Sequence, residues 1–175
     1  MYILDKQIYY FCSMNDDKKE RIKAFVNKFF VEELKRLQEH NFHHFSFILI
    51  GEAIETLGGL MDNKPLKAKA QSMKRFNKGI YSLMPRKYTL ANDGNFLYDK
   101  LRNQMVHSFI PSASLILTCR EQNTNNYKHL EMVDGKMVLV SEDFYEDLLH
   151  ACKRLFYLLD TEKVKAKMIA EFEYF

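Results

Sequence analysis

Hydrophobic side chains recur every three or four residues over most of the chain, the spacing that places them on one face of a helix. Acidic caps and prolines divide this pattern into separate helices. The predicted helices run from about 15 to 40, 41 to 61, 65 to 83, 92 or 95 to 109, 141 to 159, and from Thr161 through Val164, Met168 and Phe172. We expect the second to be the central helix, because apolar groups cover more than a third of its circumference.

The periodicity changes between about 113 and 140. Ser114 to Cys119 is β-like, and Lys128 to Val140 contains Asp134-Gly135 between alternating apolar residues, which is a strong hairpin signal. The sequence therefore predicts one mainly α domain, 1–175, with a small antiparallel β-sheet inserted among its helices. For residues 1–14 a short strand and an ordered tail both remain open.

Composition narrows the class of protein. The 175 residues are 47% hydrophobic and 28% charged, which fits one soluble globular domain and disfavours wholesale disorder. No apolar run is long enough for a membrane span, and Asp5 to Gln7 interrupt the apolar start, so we expect no membrane partner and a cytoplasmic location. Cys12, Cys119 and Cys152 are far apart and are interpreted as reduced thiols.

The central helix has one narrow polar strip, which carries His44, Gly51, Glu52, Glu55 and Gly59. Carboxylates beside glycines on a buried helix suggest that another helix approaches closely and brings a cation. An unpaired buried carboxylate would cost several kcal/mol, so Glu52 or Glu55 should find an arginine, a lysine or water.

The helix that includes Tyr98 to Phe109 carries the most informative polar residues. On a helical wheel, Asn103 and His107 lie about one turn apart, on the side opposite the apolar stripe. Arg102 lies at the border of that stripe. The neighbouring Val106 makes this outward side a plausible contact surface.

The segment from Arg102 to His107 resembles the R-x4-6-H motif of the HEPN superfamily, including the polar residue that commonly follows the arginine. The resemblance implies a dimer of helical bundles that brings two motifs together at a cleft. It implies metal-independent RNA cleavage, with Arg102 stabilising phosphate charge, His107 transferring a proton and Asn103 orienting. Glu52 and Glu55 would support the site, and no cofactor or metal is expected.

Alternatives to catalysis stay open at this stage. The dipole of a helix favours an arginine and a histidine in its last turns without any chemistry. Glu52 or Glu55 could pair with Arg102 for structure alone. We therefore expect either an RNA-cleaving homodimer of a bacterial stress, defence or toxin–antitoxin system, with an antitoxin as a further partner, or a non-catalytic dimer that binds RNA, nucleotides or protein.

A basic stretch with no acidic residue runs from Asn63 to Asn92. Next to the motif it could bind an RNA backbone, with Tyr81 or Tyr88 stacking on bases, although a solvated helix face or a docking site for an acidic protein would have the same charge. Its candidate RNA-binding residues are Lys64, Lys67, Lys69, Lys74, Arg75, Lys78, Arg86 and Lys87.

Other chemistries have weak support in the sequence. His40, His43 and His44 have a spacing that could chelate a metal from one helix face, but ordinary surface histidines explain them as well. Gly58-Gly59 is not followed by the Lys-Ser/Thr of a phosphate-binding loop. Nucleotide hydrolysis, serine hydrolysis and redox catalysis are therefore disfavoured.

Overall fold

The computed structural model describes residues 16–167 and 169, and this part of the chain is mainly helical with a small sheet. The helices are α1 (16–39), α2 (His43–Met61), α3 (Ser72–Ser82), α4 (Lys87–Ala91), α5 (96–108) and α6 (Ser141–Asp160). The strands are β1 (Leu115–Thr118), β2 (Met132–Val133) and β3 (Lys136–Val140). Both α1 and α5 contain π-helical stretches, Asn27–Glu33 and Tyr98–Asn103. No helix in the described ranges has the length and apolar character needed to cross a membrane.

Helix α2 is the central helix, as its apolar circumference predicts. It contacts α1, α3, α5 and α6, and Ile50, Ile54 and Leu57 on it are almost completely buried. Its core neighbours include Phe76 from α3, Leu101 from α5 and other fully buried side chains. Burial of these groups supplies the main favourable free energy for packing the bundle.

Glycines set how closely α2 and α3 approach. A Cβ atom at Gly58 would lie 1.9 Å from the carbonyl oxygen of Arg75, and one at Gly79 would lie 2.2 Å from the carbonyl oxygen of Ile54. The two helices therefore touch through their backbones on both sides of the interface, and any larger residue would have to push them apart.

The sheet is mixed, which corrects the prediction of an antiparallel sheet. The strand order is β1-β3-β2; β2 and β3 form an antiparallel hairpin, whereas β1 runs parallel to β3 with Leu115 opposite Met137. Positive φ angles of 48° at Asp134 and 73° at Gly135 give the hairpin the turn that its sequence predicts. The long connection from β1 to β2 lets the chain return before it pairs, so β1 need not be antiparallel to β3.

Two predicted helices differ from the structure. The helix expected from Pro65 begins only at Ser72, because residues 65–71 form turns and Ala70 has a positive φ of 54°. The helix expected at Thr161 does not form over 161–167. There the backbone turns at Glu162, with a φ of 55°, and Lys167 donates to the carbonyl oxygens of Gly59 and Lys64, each at 2.6 Å. The remainder of that predicted helix, with Met168 and Phe172, and residues 1–14 lie outside the described residues.

Candidate functional site

Arg102 of α5 lies against the polar strip of α2. A Cβ atom added at Gly51 would be 3.4 Å from Cβ of Arg102, so the glycine allows the arginine to approach the helix. The Nε atom of Arg102 lies 2.9 Å from Oε1 of Glu52 and 2.7 Å from Oε2 of Glu55. The prediction that a neighbouring helix brings a cation to this strip is confirmed.

The ion pair is buried but incomplete. The side chains of Arg102 and Glu55 are 11% and 15% exposed, whereas that of Glu52 is 37% exposed. The Nε–H does not point at either carboxylate with hydrogen-bond alignment, so Nε and the two facing oxygens are buried without a hydrogen bond in the described structure. Two carboxylates therefore share one cation, and the three atoms that face one another have almost no accessible surface.

The environment shifts the protonation of Glu52. Burial raises the pKa of its carboxyl, and the negative charge of Glu55 raises it further. The positive charges of Arg102 and His107 act in the opposite direction and lower it, but the net shift is upward. The contribution of His107 is smaller than those of Arg102 and Glu55.

The π-helical stretch changes how the motif is presented. A π turn holds more residues than an α turn, so side chains after Tyr98 are rotated relative to an ideal wheel. The Arg102 guanidinium lies 5.9 Å from the centre of the Tyr98 ring. Asn103 is half-buried, and His107 is exposed in the last turn of α5, with no hydrogen bond among the described residues. The imidazole is therefore accessible and uncommitted.

Exposed apolar side chains surround the end of α5. Phe109 ends the helix in the left-handed conformation, with a φ of 58°, and its carbonyl oxygen accepts a hydrogen bond of 2.9 Å from Nε2 of His44. This contact joins the end of α5 to the start of α2. We call the exposed side chains of both segments the apolar patch: Phe42, Phe45, Leu49, Phe109 and Ile110.

The structure gives Arg75 an internal role instead of a surface one. Its side chain is buried, and its guanidinium donates to Asp62 and to the carbonyl oxygens of Leu66 and Pro65, each at 2.7 Å. Lys78 is half-buried and donates to the carbonyl oxygen of Met61. Arg75 is therefore not available as a surface RNA contact, and the Lys78 ammonium is already engaged by the fold. The exposed members of the predicted set are Lys64, Lys67, Lys69, Lys74, Arg86 and Lys87.

Two cations of the basic stretch can be placed relative to the motif. Arg75 contacts α2 at Gly59 and Arg102 contacts it at Gly51, which places the two arginines about 12 Å apart along the helix axis. Lys87, farther along the stretch, pairs with Asp147 of α6 at 2.6 Å. Arg75 is therefore separated from the motif by about two turns of α2, and Lys87 is engaged by α6.

Comparison with known proteins adds no relative. No family model, curated protein or solved structure matches the chain.

A series of hydrogen bonds between buried polar groups, which the sequence did not predict, connects the hairpin segment to the bundle. We call it the buried polar chain. The backbone N–H of Val140 donates to Nδ1 of His129 at 3.0 Å, so the proton of the neutral ring is on Nε2, which lies 2.7 Å from the Tyr88 hydroxyl. That hydroxyl donates to Asp147 at 2.8 Å. Burial and the nearby charge of Lys87 lower the pKa of His129 to about 4. Because its side chains are hydrogen-bonded to one another, we interpret the buried polar chain as a structural link between the hairpin segment and the bundle.

The three clustered histidines of the sequence separate in the fold. Nδ1 of His40 contacts the carbonyl oxygen of Arg36 at 2.8 Å, and His44 binds Phe109. His43 instead lies close to Cys119 and Glu142, two residues that were not connected to it by any sequence spacing. Only the fold could reveal this second group of potential ligands.

Proposed function

We propose that the protein is a HEPN-like endoribonuclease that cleaves RNA without a metal ion and acts as a homodimer. One observation carries the proposal: His107 is exposed and forms no hydrogen bond within the described residues, and it lies on the same helix as Arg102, whose side chain is held by Glu52 and Glu55. Imidazole is the side chain most often used to transfer protons near neutral pH, as attack by a 2′-hydroxyl requires.

Each residue of the motif has a role in this mechanism. His107 accepts the proton of the attacking 2′-hydroxyl or protonates the leaving 5′-oxygen. The guanidinium of Arg102 has five N–H donors. Its Nε faces Glu52 and Glu55, but its terminal N–H groups form no hydrogen bond within the described residues, so a phosphate oxygen could accept from them. Asn103 lies one turn before His107 and orients the phosphate or the imidazole. Glu52 and Glu55 hold the arginine in place.

The apolar patch supports the dimer part of the proposal. Its side chains are 42–65% exposed, and they lie on both segments that join at the His44–Phe109 hydrogen bond, near His107. Burial against a second copy would remove them from water and bring two histidines to one cleft. Ile110→Glu should therefore shift the protein to a monomer in light scattering and lower cleavage.

The decisive experiment is RNA cleavage in the presence of EDTA. We expect the wild type to cut RNA and to leave DNA of the same sequence intact, because DNA lacks the 2′-hydroxyl. His107→Ala and Arg102→Ala should lose most of this activity. His150→Ala, which removes an exposed histidine from α6, is the matched control and should retain it. Equal cleavage by all four proteins would reject the mechanism.

A second function follows from the ion pair itself. If Arg102 serves only to hold α5 against α2, the protein is a non-catalytic module that binds RNA or a protein partner. Binding would then weaken strongly with salt while the RNA stays intact over hours. A toxin of a toxin–antitoxin system would instead arrest growth on expression, and His107→Ala would relieve the arrest.

A further inference from the structure

Three metal-ligating side chains from distant parts of the chain meet at the start of α2. His43 is the first residue of that helix, Cys119 directly follows β1, and Glu142 lies in the first turn of α6. One imidazole nitrogen, the thiol sulfur and one carboxylate oxygen all lie within 4.8 Å of one another. A helix start, a strand end and a second helix start thus converge on one point.

One of these groups is a buried thiol, and another has a buried nitrogen without a hydrogen-bond partner in the described structure. Cys119 is 1% exposed, and Nδ1 of His43 is buried without a hydrogen-bond partner in the described structure. Buried polar atoms in folded proteins nearly always have a partner, so an unpartnered imidazole nitrogen beside a thiol and a carboxylate requires an explanation. A bound cation would use the lone pairs that the protein leaves unused.

The third group is held in place by the backbone. The carboxylate oxygens of Glu142 lie 3.2 and 3.0 Å from the backbone N–H of Arg120, which donates to them. An ionised carboxylate has about four lone-pair positions, so this contact leaves most of them for a metal. Outer hydrogen bonds of this kind orient ligating carboxylates in known metal sites.

We propose that His43, Cys119 and Glu142 bind a divalent transition-metal ion, with zinc as the best fit. Thiolate, imidazole and carboxylate are the three ligand types that zinc accepts, and their combination disfavours magnesium and calcium, which bind oxygen. Metal–ligand distances of about 2.0–2.3 Å place tetrahedral ligand atoms roughly 3.5 Å apart, so the side chains would close by about 1 Å. A fourth position remains for water.

This site is independent of the proposed RNA cleavage. Binding would release the proton of the Cys119 thiol and would fasten the end of β1 to the starts of α2 and α6. Its test uses no RNA, so failure of the zinc proposal leaves the nuclease proposal untouched, and the reverse is also true.

The test measures zinc binding by the full chain without a polyhistidine tag. After treatment with a chelator and its removal, zinc is titrated against a chromogenic competitor, and cobalt is titrated in parallel by absorbance. We expect one metal ion per chain, a thiolate-to-cobalt charge-transfer band, and a zinc-dependent rise in the unfolding temperature. Absence of stoichiometric zinc, or a cobalt spectrum without the thiolate band, would overturn the proposal.

Variants separate this site from adventitious binding. Cys119→Ser and His43→Gln should weaken zinc binding by at least about 100-fold and remove the zinc-dependent rise in unfolding temperature. Glu142→Gln keeps an acceptor for the Arg120 N–H and provides a third variant should Cys119→Ser fail to fold. Cys152→Ala and His40→Gln are the matched controls and should bind as the wild type does. Unchanged binding in the His43 and Glu142 variants would also reject the site.

Discussion

Replacement of Arg102 by glutamine tests whether the ion pair with α2 holds the fold together. The variant keeps a polar side chain of similar reach but removes the charge that Glu52 and Glu55 share at 2.9 and 2.7 Å. Two carboxylates would then face each other on a partly buried helix surface with no cation. The free energy of unfolding should fall, since burial of an unpaired carboxylate is unfavourable.

The size of this loss follows from burial. Removal of one partner from a buried ion pair costs about 3–5 kcal/mol. Glu55 is 15% exposed and contributes fully, but Glu52 is 37% exposed and is screened by solvent, so we expect about 3 kcal/mol. For a chain of this length that corresponds to a decrease of about 6–12 °C in the unfolding temperature.

The loss should also depend on pH with a defined sign. The fold raises the pKa of the Glu52 carboxyl above its ordinary value of 4.5. Above the raised pKa the charged carboxylate therefore lowers the stability of the fold, and this effect disappears below pH 4.5, where the carboxyl is protonated in both the folded and the unfolded chain. Without Arg102 the upward shift becomes larger. The difference between variant and wild type should therefore be greatest near neutral pH and shrink toward pH 4.

Urea titrations at several pH values measure this prediction. In the Arg102→Gln background, Glu55→Gln should restore about 1–2 kcal/mol, because it removes the more buried of the two repelling carboxylates. His107→Gln is the control; its side chain is exposed, and its stability should stay within about 0.5 kcal/mol of wild type. An Arg102→Gln protein as stable as wild type at pH 7 would refute the reasoning.

Three further predictions concern the packing and the buried polar chain. Gly58→Ala should lower the free energy of unfolding, measured in urea, by at least about 3 kcal/mol, because its Cβ would lie 1.9 Å from the Arg75 carbonyl oxygen. This clash exceeds the roughly 1 kcal/mol by which alanine is favoured over glycine in a helix. A loss below about 1 kcal/mol would contradict the close contact. The pKa of His129 is lowered from 6.5 to about 4, mainly by burial, so the neutral ring contributes about 3 kcal/mol to the free energy of unfolding above pH 6.5 and loses this contribution as the pH falls toward 4. His129→Gln should therefore flatten the dependence of stability on pH between these values, and an unchanged slope would count against the prediction. Tyr88→Phe removes the hydroxyl that binds both Asp147 and His129, and it should lower the free energy of unfolding, measured by thermal unfolding, by about 1–3 kcal/mol. A loss below about 0.5 kcal/mol would show that the hydroxyl is dispensable.

The features that sequence reasoning could predict depend on local spacing. The central position of α2 follows from its apolar circumference, and the hairpin follows from Asp134-Gly135, whose turn needs positive φ angles. The approach of Arg102 to Glu52 and Glu55 was also predictable, because carboxylates on a buried face require a cation.

Features that depend on which distant segments meet could not be predicted in this way. A turn signal specifies its own hairpin but does not specify that β1 pairs with β3 in parallel. The charge pattern around Arg75 resembles a solvated surface, and only the tertiary position of Asp62 shows that this arginine is internal. In the same way, nothing in the spacing of His43 and Cys119 indicates that they meet.

The two arginines that pack against α2 provide an internal comparison for the proposed function. Each nitrogen of the Arg75 guanidinium donates within the fold, to Asp62 and to two backbone carbonyl oxygens at 2.7 Å. Arg102 is almost as buried and is held by ion pairs at Nε, but its terminal N–H groups form no hydrogen bond within the described residues. An arginine whose nitrogens all donate within the fold is typical of a structural role, whereas terminal N–H groups without an internal acceptor, on the helix that carries an exposed histidine, are what a phosphate ligand would use. Arg75→Gln should therefore destabilise the protein at least as much as Arg102→Gln. When cleavage is normalised to folded protein, however, only the Arg102 variant should lose activity; equal losses in the two variants would assign both arginines to the fold.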